Sequence, residues 1–160
     1  MTIQPVPWGC LPAGDGPLPF AGDPAPPPLP QDALARPVLV IEDEVMIAWW
    51  LETLLEDLGF ETVRIAASAA EAVALAAVLK PGLVVSDINL GPGREDGIVA
   101  LARIAALGPV GALFVSAHAE DEVLARIEAV APRAPVLRKP VAAADLRAAV
   151  VQVLAGPARH

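Results

Sequence analysis

The 160-residue chain has little cysteine, little lysine and no long apolar run, and each shortage removes a class of explanation. Its one cysteine, Cys10, cannot form an internal disulfide, so a reducing cytoplasm is allowed. Lys and Arg number 11 against 19 Asp and Glu, a formal net charge of −8. Nucleic-acid phosphates demand a basic surface, so a nucleic-acid partner is not expected. No apolar run approaches the ~20 residues a membrane helix needs, and no basic start leads into an apolar stretch as in a secretory signal. The expectation is a soluble cytoplasmic protein with no membrane partner.

What is present divides the chain. Residues 1–36 hold ten of the eighteen prolines and show no apolar periodicity. Proline removes backbone donors and favours extended geometry, so this stretch is read as a disordered or extended tail. Pro26, Pro27 and Pro28 could serve as an SH3-type ligand, although a plain linker is the simpler reading. Residues 37–155 have the length of one domain, and 156–160 form a short C-terminal tail. No effector domain is expected after the last helix, which points to a stand-alone unit.

Within 37–155, β-branched runs alternate with helical patterns. Val38 to Ile41 and Leu83 to Ser86 are apolar without alternation, as in strands buried on both faces. Three more strands are expected, over Glu61 to Ile65, Val110 to Val115 and, short, Pro135 to Arg138. Ile47, Trp50, Leu51, Leu54, Leu55 and Leu58 form one helical stripe, with Gly59 placed for a left-handed C-cap. Ser68 and Glu71 make a capping-box pattern for a helix that runs to Leu79 and stops at Pro81-Gly82. Further helices are expected from about Ile98 to Leu107, from near Ala119, and from Ala142 to Leu154. This is (βα) five times over, an α/β doubly wound parallel five-stranded sheet with the flavodoxin-like order 2-1-3-4-5.

Ligands of such sheets bind beyond the carboxyl ends of the strands, at the switch point. The residues at those ends are Glu42 and Asp43, Asp87, Ser116 and Lys139. Carboxylates gathered at one rim need a cation or a proton, and Mg2+ suits a set of oxygen ligands, with Mn2+ as the alternative. Each residue has a plainer reading. Glu42, Asp43 and Asp87 could be helix caps, Ser116 a loop residue and Lys139 a solvated lysine. An unpaired acid ending a buried strand is costly, so Asp87 weighs towards function. Lys80, the only other lysine, is explained by a helix C-terminus.

The segments VLVIEDE (38–44), LVVSDINL (83–90), DG (96–97), LFVSAHA (113–119) and VLRKP (136–140) resemble the CheY-like receiver domains of two-component response regulators. The resemblance implies that Asp87 is the phospho-acceptor, fed by the phosphohistidine of a histidine kinase or phosphotransfer protein, with a downstream protein target. Asp43, Asp87 and the Asn89 carbonyl would ligate Mg2+, with Glu42 acting through water. Ser116 and Lys139 would bind phosphoryl oxygens, and the Lys139–Pro140 bond is usually cis in this family. His118 would sit near the pocket mouth and tune phosphoryl lifetime; a plain surface histidine is the equal alternative. The phrases spanning 41–60 and 86–97 look most like PhyR-type receivers of alphaproteobacterial general-stress regulators.

Two departures stand out. Val136 takes a position where many receivers carry Tyr or Phe, and valine has no ring to swing. The loop through Gly91-Pro92-Gly93 is about two residues longer than usual. The leading expectation is a phosphorylatable receiver, not a turnover enzyme. A pseudoreceiver that binds a partner without phosphorylation is the alternative. An aspartyl phosphatase is disfavoured because Asn89 stands where a second acid would be needed. Trp49 falls with Glu52, Thr53 and Glu56, off the apolar stripe. It is read as edge packing, with a partner or homodimer contact as the second reading.

Overall fold

The computed structural model describes residues 26–156. The expectations for residues 1–25 and 157–160 lie outside them. Five parallel strands form one sheet in the order β2-β1-β3-β4-β5. They are β1 (Val38–Ile41), β2 (Val63–Ala66), β3 (Leu83–Asp87), β4 (Gly111–Ser116) and β5 (Val136–Arg138). Between them run α2 (Val45–Asp57), α3 (Ala69–Leu79), α4 (Gly97–Ala105) and α5 (Asp121–Val130), with α6 (Ala143–Ala155) at the end and a single turn, α1 (Gln31–Leu34), at the start.

Strand alternation sorts the core into two layers. Val38 and Val40 point to one side with Val85, Leu113 and Val115, and meet Leu51, Leu54 and Leu55 of α2 and Leu146, Ala149 and Val150 of α6. Leu39 and Ile41 point to the other side with Val84 and Phe114, and meet α3, α4 and α5. Both faces of β1 and β3 are therefore covered, which explains why their sequences are apolar without a break. Helix ends follow local chemistry. The Ser68 hydroxyl accepts from the Glu71 amide, and Glu71 accepts in return from the Ala67 amide. Gly59 takes φ +103 directly after the last turn of α2.

Two features differ from expectation. The folded region begins before residue 37: Leu29 and Leu34 are only 6% and 7% exposed, within the core layer of α2 and α6. Arg147 of α6 donates to the Pro27 carbonyl at 2.5 Å, and the Glu61 amide donates to the Leu34 carbonyl. Two leucines five apart fit neither helix nor strand period, so they left no pattern among the prolines. Trp50, expected on the buried stripe of α2, is 49% exposed; its indole N–H donates to the Val141 carbonyl at 3.0 Å, and Ala48 faces the core instead. Helix α5 opens near Ala119 as expected, with Glu120 as N-cap and Asp121 and Glu122 in its first turn, where the helix dipole favours acids. Among the described residues no helix is long and apolar enough to cross a membrane.

Candidate functional site

The site arises from strand register. Ile41 of β1 lies opposite Ser86 of β3, so Glu42 and Asp87, each one residue further on, emerge side by side at the carboxyl ends. β1 leads away to β2 on one side while β3 leads to β4 on the other, and the gap between them is where Asp43 also lies. Carboxylate oxygens of Glu42, Asp43 and Asp87 all fall within 4.8 Å of one another. Glu42 and Asp87 are 1% and 5% exposed.

Lys139 enters from the loop after β5. Its Nζ donates to Glu42 Oε2 and to Asp87 Oδ2, each at 2.9 Å. Its backbone N–H donates to the Ser116 carbonyl, which ties this loop to the end of β4. The Lys139–Pro140 bond is cis. The remaining oxygens are bound by main chain: the Glu44 amide donates to Glu42 Oε1 at 3.1 Å and the Asn89 amide to Asp87 Oδ1 at 3.2 Å. Asn89 thus joins the site through its backbone, while its side chain accepts from the Gly91 amide.

Three carboxylates face one ammonium, and the most buried of them, Glu42, resists ionisation. Burial pushes its pKa from 4.5 up to about 7; bonds from Lys139 and the Glu44 amide pull it back, and the Asp87 charge adds repulsion. Burial alone would lower Lys139, but its bonds to Glu42 and Asp87 outweigh that and hold it above its ordinary value. An all-oxygen donor set, short of positive charge and partly open at Asp43, fits a hard divalent cation such as Mg2+.

Ser116 is placed differently from the other site residues. It is buried at the end of β4, but its hydroxyl donates to the His118 carbonyl and accepts from the His118 amide at 3.1 Å, with no bond to the carboxylates. His118 itself is exposed, with its ring Nδ1 against the Ala117 carbonyl.

Gly97, the second residue of the DG pair, has a structural role that its residue type alone does not show. A methyl group at its Cα would lie 1.8 Å from the Asp87 carbonyl oxygen and 2.3 Å from Ser86 Oγ. The first turn of α4 therefore rests directly on the backbone of Asp87. The signal available in the sequence was a glycine beginning a helix just after a Gly-rich loop.

Residues 38–151 match the model of the response regulator receiver domain. The chain is 38% identical over 88 residues to the phyllosphere-induced regulator PhyR of Methylorubrum extorquens, covering 54% of this chain and 33% of that one. It is 34% identical over 118 residues to the transcriptional regulatory protein PdtaR of Mycobacterium tuberculosis, covering 74% and 56%. It thus spans between a third and just over half of these curated relatives. A CheY-like receiver domain protein from Methanospirillum hungatei superimposes with a TM-score of 0.68 at 26% identity, over 75% of this chain and 94% of that one. Fold, strand order and family match agree, and the chain belongs to the response regulator receiver domain family of two-component signalling modules.

Proposed function

We propose that Asp87 accepts a phosphoryl group from the phosphohistidine of a histidine kinase or phosphotransfer protein, and that a protein partner reads the change. The observation that carries this reading is the Asp87 carboxylate itself, buried beside Glu42 and Asp43 and bonded to Lys139 at 2.9 Å. In the transfer, an Asp87 oxygen forms the new O–P bond while the P–N bond to the donor imidazole breaks, and the imidazole nitrogen takes up a proton. Lys139 already holds one Asp87 oxygen and would meet the charge that develops on the phosphoryl oxygens. The Asn89 amide fixes the other Asp87 oxygen, which orients the carboxylate. Glu42, Asp43, Asp87 and the Asn89 carbonyl would hold Mg2+, which supplies further positive charge when bound. The Ser116 hydroxyl would leave the His118 carbonyl and donate to a phosphoryl oxygen.

Incubation with acetyl phosphate and Mg2+ should add the mass of one phosphoryl group to the intact protein. Asp87→Asn should abolish the addition. Equal incorporation in that variant would overturn the assignment.

A pH dependence follows from Glu42. Its folded value is about 7 against 4.5 ordinarily, so between these limits the folded state keeps a proton that the unfolded state has lost. Without a cation, the Glu42 contribution to stability therefore falls as pH rises through that window. Mg2+ must displace the same proton, so its apparent affinity should rise by up to about tenfold per pH unit below 7 and level off above. Calorimetric titration in buffers of different ionisation enthalpy reads the proton release. Equal release at about pH 6 and pH 8 would remove Glu42 from the cation site.

A further inference from the structure

Helix α4 begins on the backbone of Asp87, and its N-cap residue has a second attachment. Asp96 Oδ1 accepts from the Val99 amide at 3.0 Å, closing the first turn of α4. Its other oxygen, Oδ2, pairs with Arg126 Nη2 of α5 at 2.7 Å. The next residue, Gly97, donates its amide to the Ile88 carbonyl at 2.9 Å and lies against the Asp87 carbonyl. An unbroken series of contacts therefore runs from Asp87 through Gly97 and Asp96 to Arg126. The neighbouring ion pair, Arg103 with Glu95, stays within α4 and its own leading loop and reaches no other element.

The chemistry of this link suits a two-state connection. Side chains of Arg126 and Asp96 are 44% and 26% exposed, so the pair costs little to break. One carboxylate serves both the cap and the pair, so a shift of the α4 start that keeps the cap still moves the oxygen facing Arg126. Arg126 also lines the shallow apolar groove between α4 and α5 with Ile98, Val99, Ala129 and Val130. Gain or loss of the pair would alter the Arg126 side of that groove.

We propose that Asp96 is a positioning residue that transmits the state of Asp87 to α5 through its ion pair with Arg126. The inference rests on the phosphoacceptor reading above and adds a route out of the site. Its test uses Mg2+ with beryllofluoride as a phosphoryl mimic, with binding followed by fluorine NMR and amide hydrogen exchange measured over α5. Asp96→Asn keeps an oxygen for the Val99 amide but removes the charge, Arg126→Gln removes the partner, and Arg126→Lys restores a cation.

In the unaltered protein the mimic should change α5 exchange by at least about threefold. Asp96→Asn and Arg126→Gln should still bind the mimic and still respond around Asp87, but lose the α5 response. Arg126→Lys should recover it in part. A full α5 response in Arg126→Gln, or no α5 response in the unaltered protein despite bound mimic, overturns the route and leaves the phosphoacceptor reading standing. No binding of the mimic to the unaltered protein overturns both.

Discussion

Lys139→Met should cost about 3–5 kcal/mol of unfolding free energy near pH 8 with divalent cations chelated, the range for a buried ion pair that loses one partner. Glu42 and Asp87 are buried, and Lys139 Nζ is the cation 2.9 Å from each. Methionine preserves much of the apolar stem but leaves the carboxylates with no counter-charge in a site where Glu42 already resists ionisation. Near pH 6 the loss should be smaller, because protonating Glu42 relieves it. Added Mg2+ should recover part of the loss at the higher pH. Urea unfolding at both values, with chelator and with Mg2+, gives the four numbers needed. A loss under about 1 kcal/mol at both values, as for an exposed pair, would mean that the charges are not coupled as the distances indicate.

Gly97→Ala should be as damaging, for a steric reason. The added carbon would stand 1.8 Å from a backbone oxygen and 2.3 Å from the Ser86 hydroxyl, which itself donates to that oxygen at 2.8 Å. None of these atoms ends a long flexible side chain, so relief requires α4 to move off Asp87. That movement breaks the Gly97–Ile88 bond and displaces the loop whose Asn89 amide holds the Asp87 carboxylate. Overpacked sites cost about 1–3 kcal/mol and sometimes more, and the upper end applies here. If Asp87 is the acceptor proposed above, a displacement of about 1 Å there lowers the transfer by on the order of 100-fold. Gly93→Ala is the control: it takes φ +71 but has nothing within 4 Å, so only the backbone strain of about 1 kcal/mol applies. Equal phosphorylation rates in the two variants would contradict the close approach at Gly97.

Much of this was legible in the sequence because it is carried by periodicity and by strand ends. Val38 to Ile41 and Leu83 to Asp87 read as doubly covered strands, and their register then places Glu42, Asp43 and Asp87 together without any further information. The return of Lys139 to the same rim depends on five strands closing in the order 2-1-3-4-5, which the alternation of elements also implied. What was hidden depends on contacts with no period. Leu29 and Leu34 pack from a proline-rich stretch, and Trp50 satisfies its indole on a carbonyl 91 residues away. The Ser116 hydroxyl turns to its own loop, a choice of rotamer that residue type cannot reveal. Gly97 acts through the side chain it lacks, and Asp96 divides its two oxygens between a cap and a partner 30 residues on.

A crystal grown with Mg2+ and beryllofluoride tests most directly whether these side chains form one phosphoryl-accepting pocket. The expected density joins beryllium to an Asp87 carboxylate oxygen, with Lys139 on a fluorine and Mg2+ among Glu42, Asp43 and Asp87. An adduct on another residue, or Lys139 turned away with no ion beside Asp87, would contradict it.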